Sequence, residues 1–168
     1  MVETVMCYIE NEENQYLMLY RCKKENDLNE GKWLGIGGHI ENDESPEEAI
    51  FRETLEETGL RLKSINKRGV ITFINNDYEE LIHLYTSNDY EGSIIECNEG
   101  ELHWINKNDI FNLSLWEGDK LFLNKLINND EYFEMKLHYD NDIFLYEEWF
   151  YDISKIYKKC WKYCNWTR

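Results

Sequence analysis

Residues 38–60 read GHIENDESPEEAIFRETLEETGL, and this stretch predicts a loop that leads into a helix with an acidic face. Ser45 is a preferred N-cap residue, the proline after it suits the first helical position, and Glu48 completes a Ser-x-x-Glu capping box. Gly59 supplies a left-handed stop at the other end. We therefore expect a helix over residues 46–58.

The predicted helix brings three glutamates close together. Glu53, Glu56 and Glu57 lie at i, i+3 and i+4, so their carboxylates share one helical face. Like charges at this spacing repel each other unless a cation lies among them. Oxygen ligands without Cys or His favour Mg²⁺ or Mn²⁺. The alternative is a solvated acidic face, which is the common outcome for a glutamate-rich helix.

The complete spacing, G-x₅-E-x₇-R-E-x-x-E-E-x-G, resembles the Nudix box. This box is the signature of hydrolases that split a nucleoside diphosphate linked to another group. The resemblance implies that Glu53, Glu56 and Glu57 hold the metal ions, with the carbonyl of Gly38 as a further ligand. It also implies an α/β fold, a Nudix-type α/β/α sandwich with a mixed sheet between helices.

Two further box positions have implied supporting roles. Arg52 and Glu44 would brace the loop against the helix, and Arg52 is counted with the catalytic residues for this reason. Thr54 stands where the family usually has an aliphatic residue. That departure concerns how the helix packs and affects no metal-binding position.

The composition fits one globular domain of 168 residues, with 42% hydrophobic and 15% aromatic residues. A net charge of −16 argues against a nucleic-acid polymer or an anionic membrane as a partner. The same charge would repel a polyphosphate unless divalent metal screened it. A small-molecule nucleotide substrate is therefore expected to bind together with metal.

The compartment is predicted from what the sequence contains. Its apolar runs are shorter than the roughly 20 residues of a membrane span, and the first residues do not resemble a signal peptide. Five scattered cysteines suit a reducing cytosol, so we expect a cytoplasmic protein. The abundance of Asn, Ile, Lys and Tyr is typical of an AT-rich bacterial genome.

Alternating patterns and turn residues predict the other elements. We expect five strands, at 2–10, 15–22, 61–74, 79–87 and 101–105. A second helix is expected at 119–128 and a closing hairpin at 131–150. Together these make a Nudix domain over residues 1–150. Residues 151–168 form a basic, aromatic extension that we expect to pack on the domain or on a partner subunit, which leaves a homodimer open.

Three stretches outside the box resemble MutT-type enzymes, which remove oxidised purine nucleoside triphosphates such as 8-oxo-dGTP. They are GKWLGIGGH at 31–39, the segment at 100–123 that contains LWEGD, and the closing hairpin. The resemblance implies attack by water on a phosphorus, giving a nucleoside monophosphate and pyrophosphate. Glu53 or Glu99 would accept the proton of the water. Glu99 would also assist metal binding, and Glu101 is the rival for its role.

The same resemblance assigns substrate-binding residues. Arg21 would contact phosphate, Phe73 and Ile82 would line the base pocket, Trp116 would stack on the base and Asp119 would bond to its edge. Leu34 stands in place of the asparagine that reads the purine in the human-type enzyme. Only one of that enzyme's two adjacent aspartates is kept.

Other assignments stay open from the sequence. Within enzymes they are hydrolysis of ADP-ribose and cleavage of pterin or dinucleoside polyphosphates. The non-enzymatic alternative is a nucleotide-sensing domain. Loss of Glu56 or Glu57 would have favoured it, and both residues are present. Without the resemblance, Trp116 reads as a core aromatic, Arg21 as the end of a strand, and Glu99 as part of a solvated loop.

Overall fold

A computed structural model describes residues 1–23 and 27–150 of the chain. Its strands and helices, in chain order, are β1 Val2–Glu10, β2 Gln15–Arg21, β3 Trp33–Leu34, α1 Pro46–Thr58, β4 Leu60–Leu62, β5 Asn66–Asn75, β6 Tyr78–Ser87, β7 Tyr90–Gly92, β8 Gly100–Asn106, α2 Asp119–Ile127, β9 Phe133–Asp140 and β10 Ile143–Phe150. The extension predicted at 151–168 lies outside the described residues.

The main sheet is mixed, with the order β10-β9-β5-β6-β1-β2-β3 and with β8 also paired to β2. β1 runs parallel to β6, and β5 runs parallel to β9, whereas the other pairs in this sheet are antiparallel. A separate two-stranded sheet joins β4 to β7. This is the α/β sandwich expected from the sequence.

Side-chain alternation along β1 places a hydrophobic core on each face of the sheet. Val5, Cys7 and Ile9 belong to the core that includes α1, whereas Tyr8 belongs to the core that includes α2. The two helices therefore cover opposite faces. Neither helix of the described residues is long and apolar enough to cross a lipid bilayer.

Two boundaries differ from the sequence prediction. The strand expected at 61–74 is divided into β4 and β5, because Lys63 already pairs with Asp89 and β4 turns away to join β7. The glycine-rich stretch at 33–39, for which no strand was predicted, begins with the short strand β3. It is then attached to β1 through backbone bonds between Cys7 and Ile36 and between Val5 and Gly38.

Candidate active site

The capping residues of α1 adopt the predicted geometry. The Ser45 hydroxyl accepts a hydrogen bond from the Glu48 N–H at 3.2 Å, and the Glu48 carboxylate accepts one from the Ser45 N–H at 2.8 Å. Gly59 ends the helix in the left-handed conformation, with a φ of 75°. Since both ends are fixed, the helical phase of the box glutamates is fixed too.

Arg52 ties the loop to the helix. Its Nε and Nη2 donate to the two oxygens of Glu44, each at 2.8 Å, in a bidentate ion pair. Nη2 also donates to the His39 carbonyl at 3.0 Å, and Nη1 donates to Glu53 at 2.8 Å. Arg52 thus fixes the position of the Glu53 carboxylate from outside the cleft.

Glu57 is the buried carboxylate of the set, with only 8% of its surface exposed. Burial raises the pKa of its carboxyl to about 8, which the N–H of Gly37, donating to Oε2 at 3.1 Å, partly opposes. The nearby charges of Glu99 and Glu53 raise this pKa further. A buried carboxylate beside two others is in the environment that a bound cation would stabilise.

Of the other predicted metal ligands in the box, Glu53 and Gly38 line the cleft and Glu56 does not. Glu53 lines the cleft directly beside Gly38, where an added Cβ would come within 2.6 Å of the Glu53 carboxylate. The Gly38 carbonyl accepts the N–H of Val5 at 2.9 Å and keeps a second lone pair. Glu56 is more exposed and lies 3.4 Å from Arg52, outside the cleft lining.

Glu99 and Arg21 both line the cleft and form an ion pair with each other. Arg21 donates to the Glu99 carboxylate and, through Nε, to Asp27 at 2.7 Å. Its guanidinium is therefore engaged by two carboxylates before any phosphate arrives. Glu101, the rival of Glu99, bonds instead to His103 on an exposed part of β8.

The carboxylates fit a divalent cation by chemistry, although they are not assembled around one. Among residues 1–23 and 27–150, no three His, Cys, Asp or Glu side chains converge as a ready-made ligand set. Glu53 and Glu99 are each held by an arginine instead. The donors are all oxygens, and the buried Glu57 carboxylate accepts a hydrogen bond from the backbone N–H of Gly37, so the set suits Mg²⁺ or Mn²⁺.

The cleft has a second, apolar end. A volume of about 530 Å³ extends from Glu53, Glu57 and Glu99 along the glycine-rich loop. A smaller cavity of about 40 Å³ adjoins it. This cavity brings together the residues predicted to bind a base, namely Leu34, Phe73, Ile82, Trp116 and Asp119.

Trp116 is held firmly in the wall of this cavity. Its Nε1 donates to Asn29 at 2.8 Å, and its ring makes edge contacts with Phe73 and Tyr139. The ammonium of Lys32 lies 5.1 Å from the ring centroid. The indole is 5% exposed, so it belongs to the core as well as to the cavity.

Asp119 begins α2 and is 6% exposed. Burial raises the pKa of its carboxyl to about 8, and the charge of Glu80 raises it further, whereas Lys32 opposes the rise. At neutral pH this carboxyl is therefore mostly protonated. It can donate one hydrogen bond and accept another, which suits the edge of a purine base.

This pKa predicts a pH-dependent effect of Asp119→Asn on stability. Between pH 4 and pH 8 the folded state keeps a proton that the unfolded state releases, so the parent loses up to about 1.4 kcal/mol of unfolding free energy per pH unit. Asn carries no such penalty. The stability of the variant relative to the parent should rise from pH 5 to pH 8 and level off above, as measured by urea unfolding. A difference in unfolding free energy that is the same at every pH would contradict the protonated state.

Several cleft residues were missed by the sequence analysis. Asn29, Met6 and Leu28 line both parts of the cleft, as does Glu80, while Tyr78 lines the larger part. They come from β1, β6 and the loop before β3, so only tertiary structure brings them together. The alternation of side chains along β6 could have identified Glu80, because residues two positions apart point to the same face and Glu80 lies two residues before the predicted Ile82.

Comparison with known proteins gives a consistent result. Residues 2–126 match the NUDIX domain. A region of 113 residues is 32% identical to an oxidized purine nucleoside triphosphate hydrolase of Danio rerio, covering 64% of this chain and 72% of the relative. A region of 95 residues is 35% identical to an uncharacterised Nudix hydrolase of Bacillus subtilis, covering 53% of this chain. That match spans 60% of the length of the Bacillus protein, which is less than two thirds.

Among solved structures, a MutT protein from Bacillus halodurans superposes with a TM-score of 0.79. The superposition covers 89% of this chain and 97% of that chain, at 24% sequence identity. At this level of identity the likeness concerns the fold.

Proposed function

The chain belongs to the Nudix hydrolase family, and from that premise we propose that it hydrolyses a purine nucleoside triphosphate to the monophosphate and pyrophosphate. The observation that carries the proposal is the two-part cleft. Its acidic part lies against the box helix, and its apolar part ends at a carboxyl that can bond to a base. An oxidised purine such as 8-oxo-dGTP is the preferred candidate, and removal of such nucleotides is the proposed role.

The relatives support this choice of substrate class. The Danio rerio relative is named an oxidized purine nucleoside triphosphate hydrolase, as is a mouse relative that is 29% identical over 104 residues. The five base-site residues predicted by the same resemblance line one cavity. A base bound there would leave its phosphates directed along the cleft towards the glutamates.

In this proposal the metal is Mg²⁺, with Mn²⁺ as the alternative, held by Glu53, Glu56, Glu57 and Glu99 and by the Gly38 carbonyl. When bound, it would neutralise phosphate oxygens and lower the pKa of a water. Glu56 and Glu99 would have to turn from their present arginine partners. That change would also free part of the Arg21 guanidinium for a phosphate.

The residues of the chain have separate tasks in the reaction. Glu53 or Glu99 accepts the proton as water attacks phosphorus. Arg52 keeps Glu53 oriented through the bidentate contact with Glu44, so it acts as a positioning residue. The proton acceptor has to lie within hydrogen-bond reach of that water, and both candidates line the cleft.

The base is bound at the other end. Leu34, Phe73 and Ile82 supply apolar contact, Trp116 forms a rigid wall and Asp119 bonds to the polar edge. Because Leu34 cannot form the hydrogen bond of an asparagine, recognition at this site depends more heavily on Asp119. The nucleotide is a small-molecule partner, and a cytoplasmic location and a homodimer are part of the proposal.

A nucleotide panel with Mg²⁺ tests the proposed reaction. It should include dGTP, 8-oxo-dGTP, dATP, ADP-ribose and a dinucleoside polyphosphate. We expect purine triphosphates to be hydrolysed fastest and to release pyrophosphate. Release of orthophosphate with a nucleoside diphosphate would contradict the position of attack, and preference for ADP-ribose would assign the chain to the alternative enzyme class. Tight binding of a nucleotide without turnover would indicate a sensor domain.

A further inference from the structure

Glu80 lies where the two parts of the cleft meet. It is in β6 and pairs directly with Phe73 of β5, so the two side chains share a face of the sheet. It lines both the large acidic part and the small apolar part of the cleft. Of the residues common to both parts, it is the charged one; the others are Met6, Leu28, Asn29 and Leu34.

The Glu80 carboxylate is held in place by two hydroxyl groups. Thr4 Oγ1 donates to Oε1 at 2.6 Å, and Tyr78 Oη donates to Oε2 at 2.9 Å. Each carboxylate oxygen can accept more than one hydrogen bond, so acceptor capacity remains on both. Such a group is oriented in advance and can take only donors from a ligand, because an ionised carboxylate has no proton to give.

The chemistry of a nucleotide indicates which donor reaches this position. When the base occupies the apolar part and the phosphates lie along the acidic part, the sugar joins them at the junction. Sugar hydroxyls are hydrogen-bond donors, and a carboxylate accepts from the ribose hydroxyl in dinucleotide-binding folds. Phosphate oxygens, in contrast, would be repelled by Glu80.

We propose that Glu80 reads the sugar of the nucleotide by accepting a hydrogen bond from its 3′-hydroxyl, and from the 2′-hydroxyl as well when one is present. This inference rests on the proposed function, since it takes a nucleoside triphosphate as the ligand. Glu80 then acts as a specificity residue that the box does not contain. Its carboxylate lies away from the reacting phosphates. A sugar without a hydroxyl donor cannot bond to it, so a nucleotide with such a sugar should bind more weakly.

The test compares triphosphates of guanine that differ only in the sugar. These are dideoxy-GTP, dGTP and GTP, which carry no ring hydroxyl, the 3′-hydroxyl, and both hydroxyls. For the parent, kcat/KM for dGTP should exceed that for dideoxy-GTP roughly 10- to 100-fold, as expected for one hydrogen bond to a charged group. Glu80→Ala should reduce this ratio to near one, and Glu80→Gln should leave part of it because an amide carbonyl still accepts.

A matched control is available on the same strand. Glu79 is exposed, and its side chain points to the opposite face, so Glu79→Gln removes the same charge without touching the cleft. That control should keep the parental ratio. Any change in repulsion of the triphosphate affects all three substrates alike, so the ratio isolates the sugar contact. Thermal unfolding of each variant checks that the fold is retained.

The other outcomes are decisive as well. A parent that hydrolyses dideoxy-GTP as well as dGTP overturns the inference, and so does a ratio that survives in a folded Glu80→Ala. If dATP is measured beside dGTP, a Glu80→Ala variant that changes the preference between guanine and adenine, but not between sugars, assigns Glu80 to the base and overturns the inference. If none of the three triphosphates releases pyrophosphate, the proposed function fails and the inference fails with it. Normal pyrophosphate release without sugar discrimination counts against Glu80 alone.

Discussion

Replacing Glu57 by Gln is expected to preserve the fold and to lower the rate of hydrolysis at least about 100-fold, or roughly 3 kcal/mol of activation barrier. Gln has nearly the same shape and can still accept the N–H of Gly37. It cannot carry the negative charge that a divalent cation needs at this buried position. The variant should therefore unfold no more easily than the parent in the absence of metal.

Two measurements separate this loss of rate from unfolding. Mg²⁺ or Mn²⁺ should raise the melting temperature of the parent and have little effect on Glu57→Gln, because a ligand stabilises only the state that binds it. Glu13→Gln, in the exposed turn after β1, removes one charge elsewhere and should keep both activity and metal response. Parental turnover by folded Glu57→Gln, or by the parent in excess EDTA, would refute the metal assignment.

A second large effect is expected from Gly38→Ala. The added Cβ would lie 2.6 Å from the Glu53 carboxylate, so that side chain must move. Displacing a reacting group by about 1 Å can cost on the order of 100-fold in rate. Gly38 does not have a positive φ, so alanine fits its backbone conformation and the fold should survive. The expected result is a stable protein that is nearly inactive.

The neighbouring glycine gives the contrasting control. At Gly37 an added Cβ would overlap the carbonyl oxygen of Val5, which is backbone and cannot turn aside. Gly37→Ala should therefore destabilise the protein itself, by an amount typical of overpacking, about 1–3 kcal/mol or more. Urea unfolding and initial rates on both variants distinguish the two cases. If Gly38→Ala kept the parental rate, the Glu53 carboxylate would not need its present position.

The sequence predicted most accurately what depends on local chemistry. Ser45, Glu48 and Gly59 are neighbours of the helix they delimit, and α1 runs from Pro46 to Thr58 as expected. Helix α2 and the hairpin β9–β10 also follow from nearby residues and were confirmed within a few residues. In each case the interactions that decide the boundary lie within a few positions along the chain.

Long-range contacts account for what the sequence did not predict. The break between β4 and β5 arises because β4 pairs with β7, which no local pattern encodes. Arg21 was expected to contact phosphate, yet Asp27 and Glu99 both bind it. Glu80 was not predicted as a site residue, because its proposed role depends on contact with Thr4, 76 positions away. The roles of the base-site residues came from resemblance alone and stay predictions, although their side chains do line one cavity.

The parallel pairing of β1 with β6 has a consequence for how the protein reaches its native state. Val2 pairs with Glu80 and Ile9 with Ser87, so β1 pairs with a strand that lies nearly half of the 168 residues further along the chain. Closing so long a loop costs entropy before the contacts repay it, which slows folding. The cleft shares these strands through Thr4 and Glu80 and therefore forms late. Nascent chains that end before β6 should therefore lack the cleft.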